Sequence, residues 1–261
     1  MERVLPEPEV KARLRELGVT VPAGVAGSSL PDASALRAPL VLKAFGPGIL
    51  HKTDVGAVQL GLTHAGLEAA AAEMRARLPI SGFLVEEQHD TTTGIEVIVG
   101  MSRREPFGLV VALGLGGTMT EVLDLVALAL FPLTRADAVD LVDRFPGAGA
   151  LAGRRRPRLA RDRLVDMLLA LAGPDGLAAA LGDELAELEC NPVLVTPSDA
   201  VALDARLMLR EVPAPADKPP ATDFTRLFAP RAIAVAGAST KGSGFGNRAL
   251  AAYRAAGWSD H

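Results

Sequence analysis

The chain has 261 residues, 49% of them hydrophobic and 22% charged, with a net charge of −4, so it can bury a core without disulfide or metal staples. A single cysteine, Cys190, excludes an internal disulfide and a multi-cysteine zinc site. The acidic balance and 4% aromatic content speak against nucleic acid as the main partner. The arginines at 154, 155, 156, 158, 161 and 163 are diluted by Asp162 and Asp166 and have no aromatics between them. They read as a solvated loop and helix start rather than a phosphate patch. The opening residues lack the apolar run of a secretory signal, and no stretch approaches the ~20 apolar residues of a membrane span. A cytoplasmic location without membrane association is the expectation.

In chain order, residues 6–17 predict a helix with Val10, Leu14 and Leu17 on one face, ended by Gly18. Strands are expected at 19–21, 40–44 and 55–62, and an alanine-rich helix at 67–78. Residues 83–87 and 95–101 read as adjoining strands joined by a polar turn. A buried strand at 109–115 runs into glycines, followed by helices at 120–130, 135–144, 164–171 and 177–181. Strands at 185–189 and 201–205 flank a turn over 191–200. The irregular alternation places the chain in the α+β or mixed α/β class. Residues 213–222 (PAPADKPPAT) read as a stiff linker between a domain at 1–212 and a C-terminal part at 223–261. That last part predicts a strand at 232–236, a glycine-rich turn and a helix at 247–256, the opening unit of a further domain.

Five segments carry chemistry. Lysines are scarce, five against 22 arginines, so Lys43 inside the apolar strand LVLKA stands out. It either snorkels from an exposed edge-strand face or meets an anion. The segment PGILHKTDVGAV places His51, Lys52, Thr53 and Asp54 between Gly48 and Gly56, either as anion donors and a proton or phosphoryl carrier or as a polar hairpin. FLVEE and GIEVIVG supply Glu86, Glu87 and Glu96, which suit ribose hydroxyls or simply face water. LGLGGTMTEVL presents Gly114, Gly116, Gly117, Thr118, Thr120 and Glu121 at a helix start, an anion site or a tight cap. ELECNPVLVT with VALDAR gives Glu187, Glu189, Asn191 and Asp204, oxygen ligands for Mg²⁺ or an Asn-Pro turn beside an unrelated aspartate.

Taken in order, VLKAFGPGILHKTDVGAVQLGL, LVEE, GIEVIVGMSRREPFG, LGLGGTMTEVL, FPLTRADA and ELECNPVLVTPSDAVALDAR resemble the ATP-grasp domain of the NDP-forming acyl-CoA synthetases. This is the acetate–CoA ligase (ADP-forming) group, similar in design to the β subunit of succinyl-CoA synthetase. The tail LFAPRAIAVAGASTKGSGFGN resembles the start of the Rossmann-like CoA-binding domain of the same enzymes. The resemblance implies a two-lobed ATP-grasp fold with a partial βα unit behind it. It also implies Mg²⁺ and ATP or ADP as cofactors, CoA as a substrate, and phosphoryl transfer through a histidine to an acyl group that CoA then displaces.

Lys43 and Lys52 would then meet ATP phosphates, Glu86 and Glu87 the adenine and ribose, and Glu96 the nucleotide. Asn191 and Asp204 would bind Mg²⁺. Gly116, Gly117, Thr118 and Glu121 would face the transferred phosphoryl group, with His51 as relay or acceptor. Gly237, Ser239 and Lys241 would meet CoA phosphates. The phosphohistidine domain and most of the CoA-binding domain would come from a partner chain. The alternatives are a nucleotide-binding regulatory module or an inactive remnant. Three positions depart from the family pattern: Ala57 in place of glycine, where a methyl crowds the phosphate loop, Leu125 in place of an acidic residue, and Ala129 in place of arginine. Cys190 replaces an aliphatic residue and reads as core.

Overall fold

The computed structural model describes residues 2–49, 52–116, 126–153, 158–212, 224–240, 242 and 244–258. The chain forms two compact units, Met1–Val212 and Pro213–His261.

The first unit contains two antiparallel sheets. The smaller is built from β2 (Gly24–Gly27), β3 (Leu40–Phe45), β4 (Val58–Leu62) and β5 (Gly82–Glu87), in the order β2-β5-β3-β4. Its apolar face follows from strand alternation. Leu40, Leu42 and Ala44 of β3 and Phe83 and Val85 of β5 pack with Leu67, Ala70, Ala71 and Met74 of helix α2 (Leu67–Arg77). Lys43 and Glu86 therefore point from the other face. Strand β3 lies between β5 and β4, so Lys43 sits on an interior strand and not on an edge. Ala57 is fully buried with this apolar cluster, so its methyl packs into the core of the small sheet.

The larger sheet has the order β1-β11-β9-β6-β7-β8, with β10 paired to β9. Its strands are β1 (Glu2–Val4), β6 (Ile95–Arg104), β7 (Gly108–Leu115), β8 (Val126–Leu130), β9 (Leu185–Val195), β10 (Ala200–Ala202) and β11 (Ala205–Arg210). One face buries Val97, Val99, Val111, Leu113, Leu188 and Leu207 in one cluster with residues of α3 (Arg135–Arg144), α4 (Ala148–Leu151), α5 (Arg161–Ala172) and α6 (Leu177–Leu181). Thr134 and Asp137 close α3 with a reciprocal capping box. Helix α1 (Glu7–Glu16) starts at prolines, carries Glu7 and Glu9 in its first turn and Arg13 and Arg15 in its last, and ends at Gly18 with φ +76. Val10 and Leu14 join the core of the large sheet.

Several sequence expectations are corrected. Residues 19–21 contribute only an isolated bridge, Thr20 to Val201, because the strand beside β5 begins at Gly24. Strands β5 and β6 do not adjoin: they belong to different sheets, and residues 88–94 cross from one sheet to the other. Strand β8 replaces the C-terminal half of the expected helix at 120–130, since register with β7 outweighs its leucine and alanine content. Strand β9 continues through Asn191 and Pro192 to Val195, with a register shift against β6 at that point, so the turn is confined to 196–199.

Within the helical segment Arg161–Glu184 an 18-residue window has mean hydropathy 1.6, long and apolar enough by length and composition to cross a membrane, contrary to the expectation of no such stretch. Its apolarity is that of a core element. More than half of it is buried, and the helix breaks after Ala172 at Gly173. Arg161, at its start, pairs with Asp143 at 2.7 Å.

In the second unit the expected strand at 232–236 is absent from the described residues, which offer it no neighbouring strand to pair with. Its elements are helices α7 (Thr225–Phe228) and α8 (Phe245–Ala255).

Candidate functional site

Three lysines and three carboxylates meet where the two sheets face each other. Helix α1 brings Glu7 and Lys11, β3 brings Lys43, β5 brings Glu86, and Lys52 and Asp204 come from the β3–β4 and β10–β11 connections. Glu7 and Lys11 are one turn apart on the stripe that also holds Val10 and Leu14, so the buried side of α1 carries the charges inward. Glu7, Lys11, Lys43 and Glu86 are at most 5% exposed.

The contacts are dense. Lys11 Nζ donates to both oxygens of Glu86 (2.6 and 2.8 Å) and to the Leu203 carbonyl (2.7 Å), and lies 3.0 Å from Glu7 Oε1. Lys43 Nζ donates to Glu7 Oε1 at 2.7 Å and the Leu203 carbonyl at 2.6 Å, with Glu86 Oε2 at 2.9 Å. Lys52 Nζ donates to both oxygens of Asp204 (2.8 and 2.9 Å) and lies 3.0 Å from Glu7 Oε2. That second oxygen of Glu7 is, among the described residues, the buried side-chain oxygen without a hydrogen bond.

Burial alone penalises every one of these charges. For Glu7 it pushes the carboxyl up, but the fields of Lys43, Lys11 and Lys52 outweigh it and hold the group well below the carboxylate range. For Lys43, burial pushes the ammonium down, and Glu7, Asp204 and Glu86 reverse the sign and raise it. Lys52 follows the same pattern through Glu7 and Asp204. Lys11 moves the other way, because burial, helped by repulsion from Lys43, exceeds the pull of its carboxylates. Asp204 is raised by burial and by the neighbouring Glu7 charge. Equal numbers of opposite charges make the cluster self-compensating.

A cavity of about 500 Å³ opens beside this network, lined by Glu7, Lys52, Gly46, Gly48, Ser81 and Arg206 among others. Arg206 adds a further cation. It ion-pairs with Glu187 and, at 2.9 Å, with Glu189, which in turn accepts from Asn191 Nδ2 at 2.9 Å. The backbone joins the expected metal pair, since Asn191 N donates to the Asp204 carbonyl at 3.2 Å. Asn191, Glu189 and Asp204 offer hard oxygen donors, and the charge resting on Asp204 in this structure is the Lys52 ammonium. This chemistry fits Mg²⁺, which takes one or two carboxylates and completes its shell with substrate oxygens. Among the described residues no group of three His, Cys, Asp or Glu forms a cage by itself.

The structure thus gathers Lys43, Lys52, Glu86 and Asp204, with Asn191 adjoining. Glu96 lies on β6 next to Gly116, whose N–H donates to the Glu96 carbonyl at 2.8 Å. A Cβ on Gly116 would sit 3.0 Å from that backbone and press on β6. Glu87 stands apart: Arg37 hydrogen-bonds it at 3.0 Å and lowers its pKa. Cys190 is buried and its thiol is pushed up to about 12, first by burial and then by Asp204, so it is inert. Ser239 is tied to α8 through Asn247, which accepts from the Ser239 N–H at 2.9 Å. Gly246 packs onto Gly237, where a Cβ would meet backbone at 2.7 Å. His51, Gly117, Thr118, Glu121, Leu125 and Lys241 lie outside the described residues.

Sequence reasoning missed Glu7, Lys11 and Arg206. The signal for the first two was present: an i, i+4 ion pair in phase with Val10 and Leu14 puts charge on a face that must be buried.

Residues 1–209 match the family model of the ATP-grasp domain. The chain is 34% identical over 248 residues to acetate–CoA ligase [ADP-forming] II of Archaeoglobus fulgidus, covering 90% of this chain and 34% of the relative. It therefore spans about a third of the length of that relative. It is 31% identical to the β subunit of acetate–CoA ligase [ADP-forming] II of Pyrococcus furiosus, over 78% of this chain and 91% of that subunit. Among solved structures, dinucleotide-forming acetyl-coenzyme A synthetase 1 of Candidatus Korarchaeum cryptofilum superposes with a TM-score of 0.67 at 28% identity, covering 79% of this chain and 93% of that chain. That structure holds coenzyme A and Mg-AMPPCP, with its phosphohistidine segment pointing towards the nucleotide-binding site. The two-sheet architecture is the ATP-grasp fold, and the chain belongs to the ATP-grasp family of the ADP-forming acetate–CoA ligases.

Proposed function

We propose that this chain is the nucleotide-binding part of an ADP-forming acyl-CoA synthetase, acting in the cytoplasm with a partner chain that carries the phosphohistidine and CoA-binding domains. The observation that carries this reading is the convergence, at one junction, of Lys43 and Glu86 from the small sheet with Asp204 and Asn191 from the large one. A nucleotide would lie against this junction, with its phosphates at the mouth of the cavity beside Lys52. Arg206, which lines the cavity, adds positive charge. Asn191 and Asp204 would hold Mg²⁺, which when bound supplies neutralisation of the phosphate oxygens.

The chemistry this supports is transfer of the γ-phosphoryl group from ATP to a histidine nitrogen, releasing ADP. A carboxylate oxygen then takes the phosphoryl group, and the CoA thiolate displaces inorganic phosphate to form the thioester. The chain's own residues contribute chiefly position and electrostatics.

Thermal unfolding of the wild type and of Asn191→Ala, with and without Mg·ATP and Mg·ADP, tests the reading. A ligand at about 100 times its dissociation constant adds about 2.7 kcal/mol, several degrees for a domain of this size. The expected result is a magnesium-dependent shift in the wild type that collapses in the variant. A cooperatively unfolding wild type with no shift overturns the proposal.

A further inference from the structure

Lys43 and Lys52 enter the junction from different stretches of the small sheet, yet both end on one carboxylate. Glu7 Oε1 accepts from Lys43, and Glu7 Oε2 faces Lys52. The carboxylate is itself steadied by Lys11, one turn along α1. Lys43 has three acceptors around its three protons, so its position is determined from every side. Among the described residues Lys52 rests on Asp204 and Glu7, its side chain is 12% exposed, and it lines the open cavity. Two ammonium groups placed side by side repel each other. A single carboxylate between them offsets that repulsion and is the acceptor they share.

We infer that Glu7 is a positioning residue of the nucleotide site, holding the Lys43 and Lys52 ammonium groups together for a polyphosphate while touching no substrate itself. The inference rests on the nucleotide reading above. Without the Glu7 carboxylate, Lys52 is the lysine with room to leave, and it turns towards water. Binding of the phosphates then weakens, while contacts to the nucleoside are untouched.

The test uses the full chain and two variants, Glu7→Gln and Glu7→Gln/Lys11→Gln. The double variant keeps the buried charges balanced, two of each sign, and so separates the carboxylate's position from its charge. The first readout needs no nucleotide: the rate of Lys52 acetylation by an N-hydroxysuccinimide ester, measured by mass spectrometry against Lys218 as internal reference. The second is calorimetric affinity for Mg·ATP and for adenosine.

Both variants should acetylate Lys52 several-fold faster. Both should lose about tenfold or more in Mg·ATP affinity and keep adenosine affinity within about twofold. A folded double variant that binds Mg·ATP like the wild type overturns the inference, since Glu7 then only balances charge. An unchanged Lys52 rate overturns it too, as does failure of both variants to fold. If Lys52 is released on schedule but the wild type binds no nucleotide, Glu7 does position Lys52 and it is the nucleotide reading that falls.

Discussion

In the unit Met1–Val212, leucines 40, 42, 113, 141, 164 and 168 are completely buried. In the unit Pro213–His261, Leu227, Phe228 and Phe245 are 68, 82 and 81% exposed. Both units form helices and both contain apolar side chains, so neither propensity nor composition separates them. The difference is a second layer. The first unit sets helices on two sheets and closes an apolar cluster behind each. The described residues of the second unit make local contacts, such as the Phe224–Phe228 ring pair at 6.4 Å and Arg248 over Phe245 at 5.9 Å. A helix draws most of its stability from the face it buries. This contrast also explains how the first unit can hold six charges at its centre: the apolar clusters on either side supply the stability that burying them costs.

The sharpest way to break the comparison is to unbalance those charges. Lys11→Met removes the ammonium that holds both oxygens of Glu86 and leaves that carboxylate under-compensated. A loss of about 3–5 kcal/mol in urea unfolding is expected. A loss below about 1 kcal/mol would mean that water enters the junction and the network does not join the sheets. Next in size is the core itself. Leu168→Ala opens a void under the large sheet and should cost about 2–5 kcal/mol, with an unchanged m-value.

A smaller effect concerns acid. Glu7 has a folded pKa held below its unfolded value of 4.5, so its contribution is complete above that pH and is lost as pH falls through the carboxylate range. Asp204 has the opposite sign: its raised pKa lets the folded state take up a proton first, which favours folding on acidification. Wild-type stability alone mixes the two. The difference between wild type and Glu7→Gln in an Asp204→Asn background removes the Asp204 titration, and it should be flat near neutrality and shrink below about pH 4.5, by at most about 1.4 kcal/mol per pH unit. A difference that grows on acidification contradicts the placement of Glu7 among three lysines.

Much of the first unit was legible from periodicity: α1, β3, α2, β5, β7, α3 and α5 fall where apolar spacing puts them. What failed was long-range pairing. Residues 95–101 look like the return strand of a hairpin from 83–87, because a polar turn separates them. No local pattern reveals that the chain changes sheets at 88–94. Likewise 126–130 is a stretch of valine, leucine and alanine that only register with β7 turns into a strand. At the site, Lys43 stands out as a charge inside an apolar strand, and Lys52, Glu86 and Asp204 stand out through the motifs that hold them. Glu7 and Lys11 carry a signal in their phase with Val10 and Leu14, but an i, i+4 pair on a helix is normally a solvated surface feature and reads as one. Their role depends on a sheet seventy-five residues away, where Lys11 meets Glu86.

The smallest expected effect tests the other side of the comparison. If the described helices of the second unit bury no shared face, trimming one of their large side chains removes little from water. Phe228→Ala should change the stability of the cooperative transition by less than about 0.5 kcal/mol, within the range of surface substitutions. The same truncation at Phe145, which is 2% exposed in the large-sheet core, should cost about 3–5 kcal/mol. The pair fixes chemistry and changes only the layer around the ring. A Phe228 variant as damaged as the Phe145 variant would show that the ring is covered in solution. The second unit would then owe its stability to a burying surface and not to its own helices. A null result at Phe228 beside a large loss at Phe145 assigns the cooperative transition to the two-sheet unit, and with it any stability gained on binding nucleotide.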